Sequence, residues 1–157
     1  MNPEITFLLT KPWYAPQQIN EGTAQLRERK IFDYLEKRLS MENYKIVRAP
    51  FRMATIPQEA FWREFYSEIK DWSGFEKMIE DFRNLSFPPM IGFYSGPNVL
   101  QKIIEALGPT GVSENPADTI RGKFGNIYLA KWKNVAHTPK SGERERQIRI
   151  LWKHRLA

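Results

Sequence analysis

The stretch Ile5-Thr6-Phe7-Leu8-Leu9-Thr10-Lys11 reads as a strand buried on both faces, because its apolar run is nearly continuous rather than alternating. Pro12 closes it, and the polar segment from Trp13 to Gly22 follows as a loop. Working outward, helix formers from about Thr23 to Met41 place Leu26, Ile31, Tyr34, Leu35 and Leu39 near one face. A second strand is expected over about Tyr44–Met53. Thr55 with Gln58, and Pro57 in the first turn, make a capping box for a helix running to about Lys70 through Phe61, Trp62, Phe65 and Tyr66. A second box, Ser73 with Glu76, opens a shorter helix through Phe75, Met78, Ile79 and Phe82.

Pro88–Ser95 gives a third strand, and Pro97 starts a helix over Asn98–Leu107 that Gly108 ends. Pro109 to Asp118 is irregular and rich in Gly, Pro, Ser and Asn, a length of loop that commonly serves function. Phe124–Ala130 is weakly strand-like, Val135-Ala136-His137 is a short apolar step, and Ser141 is placed to cap a last helix reaching Trp152. The order is strand, helix, strand, helix pair, strand, helix, strand. That is the ferredoxin-like βαββαβ pattern of an α+β fold, a four-stranded antiparallel sheet with helices packed on one face.

Composition narrows the chemistry. At 157 residues, 41% hydrophobic and 27% charged, the chain reads as one globular domain over 1–157 with an aromatic-rich core, since 13% of residues are Phe, Trp or Tyr. The absence of cysteine excludes disulfides, thiol nucleophiles and thiolate-bound metal, and two histidines are too few for a zinc site. No apolar run reaches the ~18–20 residues that span a bilayer, and the first residues carry no basic n-region, so a cytoplasmic protein is expected. A net charge of +6 favours anionic partners: nucleic acid, nucleotides or phosphorylated metabolites.

Two anion-binding uses of this fold compete. The first is an RNA recognition motif, which places Arg/Lys-Gly-aromatic-Gly-aromatic on a central strand so that rings stack on bases. Arg121-Gly-Lys-Phe-Gly-Asn-Ile-Tyr128 is partly similar, but Lys123 and Asn126 stand where the first two aromatics belong.

The second rests on an ordered set of fragments: Leu8-Leu-Thr-Lys11-Pro12, then Phe65-Tyr66-Ser-Glu, then Leu107-Gly-Pro-Thr110, then Thr119-Ile-Arg121-Gly-Lys-Phe-Gly125, and finally Asn134-Val-Ala-His137. With the closing Arg146–Trp152, this set resembles the nucleoside diphosphate kinase family over nearly the whole chain. The resemblance implies that His137 attacks the γ-phosphate of a nucleoside triphosphate and passes it, through a phosphohistidine, to a nucleoside diphosphate in ping-pong fashion. An imidazole suits this, being largely neutral and nucleophilic at pH 7.

The resemblance further implies that Lys11 and Arg121 hold phosphate oxygens and that Thr110 donates its hydroxyl to a phosphate. Tyr66 is expected close to His137 and Lys11, and Asn134 on a sugar hydroxyl. Mg²⁺ would bridge the phosphates with few or no protein ligands. The implied partners are nucleoside tri- and diphosphates and further copies of the chain, without membrane or nucleic acid.

The chain also departs from the family pattern. Trp13 stands where an aspartate usually follows Lys-Pro, and two phosphate-binding arginines are replaced by Trp72 and Ile104. The base-stacking phenylalanine falls near Ser73-Gly-Phe75, so Phe75 or Trp72 is the candidate for that place. Gln147, with Glu145 nearby, aligns best with the glutamate that orients the histidine, and Thr138-Pro-Lys140 replaces Gly-Ser-Asp. Each lost charge-assisted phosphate contact removes about 1.5–3 kcal/mol, which keeps open a divergent nucleotide binder with little transfer activity. Lys102, Lys131, Lys133 and Lys140 are the candidate replacement cations.

Overall fold

The computed structural model describes residues 4–14, 19–40, 43–109, 115–124 and 135–156. Strand β1 is Ile5–Thr10, β2 Lys45–Arg52, β3 Met90–Ser95 and β4 Ala136–His137. They form one antiparallel sheet in the order β2-β3-β1-β4. The helices are α1 Glu21–Leu39, α2 Glu59–Phe65, α3 Phe75–Phe82, α4 Val99–Leu107, α5 Ile120–Phe124 and α6 Arg144–Lys153, with a 3-10 turn at Ser67–Ile69 after α2. This is the ferredoxin-like α+β architecture, with an added layer.

The expectation of helices on one face is corrected. The alternation of β1 sends Leu8 into a core with α1, α4 and α5 (Ile31, Leu35, Ile103, Ile120). Phe7 and Leu9 enter a second core with α2, α3 and α6 (Phe61, Phe65, Ile79, Leu151). Both faces of the sheet are therefore covered, which is why β1 and β3 read as unbroken apolar runs. Among the described residues no helix is long and apolar enough to cross a membrane.

Several local expectations shift. Helix α1 starts two residues earlier than expected, because the Asn20 side chain accepts from the Thr23 N–H. Neither capping box forms. Helix α2 begins only at Glu59, and its preceding residue Gln58 makes no side-chain cap. Glu76 is drawn away from the start of α3 by Arg63, whose two terminal nitrogens donate to it at 2.8 and 2.6 Å. Ser141 lies in a turn, and α6 opens after Glu143.

A buried polar junction ties β1 to α1 and β3. Thr10 Oγ1 donates to Glu28 at 2.7 Å and accepts the Met90 N–H at 2.9 Å, with both side chains fully buried. Tyr14 Oη donates to the same carboxylate at 3.2 Å, and Arg52 approaches it at 3.5 Å. Replacing Thr10 with valine keeps the shape but leaves the Met90 N–H and one carboxylate oxygen short of a partner. At ~1–3 kcal/mol for each unsatisfied buried group, Thr10→Val is expected to lower the urea-unfolding free energy by roughly 2–6 kcal/mol.

Candidate active site

Strand β4 is only two residues long, yet it decides where His137 lies. Leu9 pairs with His137 and Thr10 with Ala136, so His137 shares the Leu9 face of the sheet and points into the layer of α2, α3 and α6. The Lys11 N–H donates to the Val135 carbonyl at 3.1 Å, and Thr138 Oγ1 donates to the Phe7 carbonyl at 2.8 Å. These bonds bracket the ladder and bring His137 beside the end of β1, from which Lys11 emerges.

The imidazole is half-buried among rings, with centroids of Phe65 at 5.1 Å, Tyr66 at 5.3 Å and Phe7 at 6.2 Å. Nε2 lies 2.8 Å from Gln147 Oε1. The Gln147 amide nitrogen donates to Glu143 Oε2 at 3.0 Å and to Glu68 Oε1 at 3.3 Å, so the amide oxygen is the end that faces the ring. An amide oxygen only accepts, hence Nε2 carries the proton and Nδ1 holds the free lone pair. Burial, the neighbouring Lys11 charge and, more weakly, Arg121 and Lys140 pull the His137 pKa down to about 3 against the opposing Gln147 hydrogen bond. The ring is neutral at pH 7. Glu145, the other residue considered for the Gln147 place, is largely exposed and pairs with Arg149.

Lys11 is 7% exposed, and its ammonium sits 5.7 Å from the Tyr66 ring centroid, 5.9 Å from Phe82 and 6.0 Å from Trp13. Burial first and Arg121 second lower its pKa to about 7. Helix α5 supplies Arg121, whose Nη1 donates to the Gly108 carbonyl and whose buried Nε has no partner. Burial draws its pKa down to about 10. Among the described residues neither cation has a carboxylate within ion-pair distance. The Tyr66 hydroxyl is likewise buried with no hydrogen-bond partner, and burial pushes its pKa upward. A buried ammonium, a half-buried guanidinium whose Nε has no partner, and a buried unpartnered hydroxyl make a place that an anion would complete.

Of the residues singled out from sequence, the fold thus gathers Lys11, Tyr66, Arg121 and His137. Thr110 and Asn134 lie outside the described residues, as do Lys131 and Lys133. Lys140 is exposed but near enough to act on His137; Lys102 is exposed on α4. Phe75 is 5% exposed and packed in the second core. Trp72 is 56% exposed. Its indole lies over Gly74, where an added Cβ would come within 2.4 Å of Trp72 Cζ2. The substituted positions Trp72 and Ile104 bring no charge.

Sequence reading did not single out Trp13 as part of the wall around Lys11, nor Glu68 and Glu143. Trp13 is fixed by Nε1 donating to the Asp81 carbonyl at 2.8 Å. The signal for Glu143 was its spacing of four from Gln147 on one helical face.

The described half of the motif considered for RNA, Arg121–Phe124, is helical and not on a sheet strand; Gly125–Tyr128 lie outside the described residues. Thr119 Oγ1 accepts the Gly122 N–H at 3.0 Å and caps this short helix. Gly122 is required there, since a Cβ would meet the Pro116 carbonyl oxygen at 2.0 Å.

The fold and this cluster define a class: ferredoxin-like proteins that set a neutral histidine beside a buried lysine and a half-buried arginine. Residues 24–156 match the family model described as nucleoside diphosphate kinase, and the chain belongs to that family. No curated protein matches it in sequence at a significant level. Among solved structures, it is similar to a halophilic nucleoside diphosphate kinase from Halobacterium salinarum in complex with CDP. That match has a TM-score of 0.70 and 21% identity, covering 98% of this chain and 90% of that one. It is also similar to the apo enzyme from Encephalitozoon cuniculi, with a TM-score of 0.69 and 18% identity over 98% and 92% of the two chains. For the Aquifex aeolicus enzyme the values are 0.67 and 21%, over 95% and 94%.

A cation buried without a partner costs folding free energy, and the sign follows from the lowered pKa. Between about pH 7 and 10.5 the unfolded chain holds the Lys11 proton and the folded chain does not, so stability rises with pH across that window. Lys11→Met is expected to raise the urea midpoint at pH 7 and to flatten this rise. Urea titrations of both proteins at pH 7 and 10 measure it.

Proposed function

We propose that this chain transfers the γ-phosphate of a nucleoside triphosphate to a nucleoside diphosphate through a phosphohistidine on His137. The observation that carries the reading is a neutral imidazole, its Nε2 engaged by Gln147, beside a buried and a half-buried cation that, among the described residues, have no carboxylate of their own. In the first half-reaction Nδ1 forms a bond to the γ-phosphorus while the bond to the β–γ bridging oxygen breaks, and the diphosphate leaves with that electron pair. In the second, a β-phosphate oxygen of the acceptor attacks and the electron pair returns to Nδ1. No proton need move, because Nε2 keeps its own throughout.

Such a reaction asks the protein mainly for positioning and positive charge. Lys11 and Arg121 are the proposed holders of phosphate oxygens, Lys140 a further charge at the rim, and the Tyr66 hydroxyl a donor. Thr110 and Asn134 are proposed for a phosphate and a sugar hydroxyl. Trp72, exposed where Phe75 is not, is the proposed platform for the base. The groups that act on His137 are cations and an amide, and among the described residues no three His, Cys, Asp or Glu side chains cluster as a metal site. That donor set fits a Mg²⁺ that arrives with the nucleotide, held by phosphate oxygens and water, and it would neutralise phosphate charge when bound. The same reading extends to one catalytic domain over 1–157, a cytoplasmic setting and a homo-oligomer, the last measurable by light scattering.

The decisive experiment incubates the protein with γ-labelled ATP and Mg²⁺. An acid-labile label is expected on the protein, absent in His137→Asn and discharged by a nucleoside diphosphate. Nucleotide binding without label would make the chain a binder that has lost transfer. Trp72→Ala is expected to weaken nucleotide binding by roughly tenfold, the loss of a stacking contact worth about 1–3 kcal/mol, read by fluorescence titration.

The pH profile has a stated direction. His137 stays unprotonated far below pH 6.5, whereas Lys11 loses its charge above about 7. The second-order rate of labelling is expected to hold from pH 7 down to about 5 and to fall as pH rises past 7.

A further inference from the structure

Tyr34 is half-buried on α1, and the proposed chemistry does not use it. Its side chain nonetheless meets α5 and the turn before it. The hydroxyl donates to the Asp118 carbonyl. The ring lies under the Lys123 ammonium, 5.4 Å from its centroid, and meets Phe124 edge-to-face at 5.8 Å. Arg38, one turn further along α1, joins the same cluster. Its Nη1 donates to the Tyr34 hydroxyl at 3.3 Å and to the Asp118 carbonyl, and it approaches the Asp118 carboxylate at 3.8 Å.

These contacts straddle Arg121: Asp118 precedes it in the chain, and Lys123 and Phe124 follow it. A helix of five residues cannot hold itself, because so short a run closes too few hydrogen bonds to offset its nucleation. Ile120, fully buried in the first core, pins α5 at one point. One point leaves the helix free to turn about it, and turning swings the neighbouring guanidinium. The bond from Arg121 to the Gly108 carbonyl resists a turn only through a long side chain of many rotamers. Anchors on both sides of Arg121 remove that freedom, and Tyr34 supplies them from a 19-residue helix packed in the same core. The support comes from the layer that His137 does not face. Arg121 is carried by that layer yet acts on the charge of both Lys11 and His137.

We propose that Tyr34 is a positioning residue for Arg121: with Arg38 it clamps α5 and the turn before it, so that the guanidinium is held at the phosphate site beside Lys11. The kinetic consequence rests on the phosphotransfer reading; the clamp itself does not.

A double-mutant cycle on the labelling rate tests it. Tyr34→Ala is expected to slow labelling by γ-labelled ATP by about tenfold, since a misplaced binding group costs up to ~10²-fold. Added to Arg121→Ala, the same change is expected to slow labelling no further, because the clamp has nothing left to position. Tyr34→Phe keeps the ring contacts, and Arg38 still serves the Asp118 carbonyl, so most of the rate is expected back. A role in folding alone predicts an equal loss in both backgrounds. That result overturns the proposal, and so does a Tyr34→Ala protein that labels at the unaltered rate. If Tyr34→Ala loses its circular dichroism spectrum, Tyr34→Leu, which fills the volume without ring or hydroxyl, is judged by the same criteria.

A second readout needs no transfer. Facing Lys11 are Arg121, His137 and the rings of Trp13, Tyr66 and Phe82, and of these only Arg121 lies on α5. Burial and then Arg121 bring the Lys11 pKa down to about 7. Carbon-13 NMR of the lysine side chains follows this titration in the whole protein, with Lys11→Met assigning the signal. Tyr34→Ala is expected to move it upward, toward its position in Arg121→Ala, and to move it no further in that background. A titration that stays in place overturns the proposal. Failure of the phosphotransfer reading looks different: the unaltered chain takes no label, yet Lys11 still responds to Tyr34→Ala.

Discussion

The two-residue ladder between β1 and β4 is the constraint on which the rest of the site depends. Leu9 opposite His137 fixes the face on which the imidazole lies, and Thr10 opposite Ala136 fixes how far along the strand it sits. A slip of one residue would turn His137 into the core of α1 and α4, away from Gln147 and Tyr66. So short a ladder cannot resist such a slip by itself. The bonds at either end, from Lys11 to Val135 and from Thr138 to Phe7, extend it without extending the strand.

Around that ladder the molecule sets groups whose needs conflict. Lys11 and Arg121 are withdrawn from water without acidic partners, while the acids of this region, Glu68 and Glu143, are held on the far side of Gln147. Had a carboxylate reached Lys11, the lysine would be cheaper to bury and less ready for phosphate. The aromatic wall of Trp13, Tyr66 and Phe82 gives the ammonium a weaker electrostatic partner that does not compete as an acceptor. Trp13 is part of that wall, its ring 6.0 Å from the ammonium.

Much of this was legible in sequence, for reasons that differ by residue. The strand order followed from unbroken apolar runs such as Ile5–Lys11, since period and burial are local properties. Lys11, Tyr66, Arg121 and His137 stood out because an ordered set of fragments carries them together. The second helical layer was missed because β1 alone cannot say which elements cover its two faces. The Ser73–Glu76 capping box failed because Arg63 competes for Glu76 across 13 residues, a tertiary contact that no short window of sequence contains. Helix α5 was missed because five residues held by Thr119 and the Pro116 carbonyl leave no helical period to read. Phe75 and Trp72 could not be separated until burial assigned one to the core and the other to solvent.

Trp72 and Gly74 carry one last consequence. Taken singly, Trp72 is an exposed ring and Gly74 a bare backbone position just before Phe75. In space they are a single unit, because the indole occupies the volume that a side chain at 74 would need. A larger residue at 74 would displace the indole from that volume, so where the ring rests is set by the absence of a side chain two positions on.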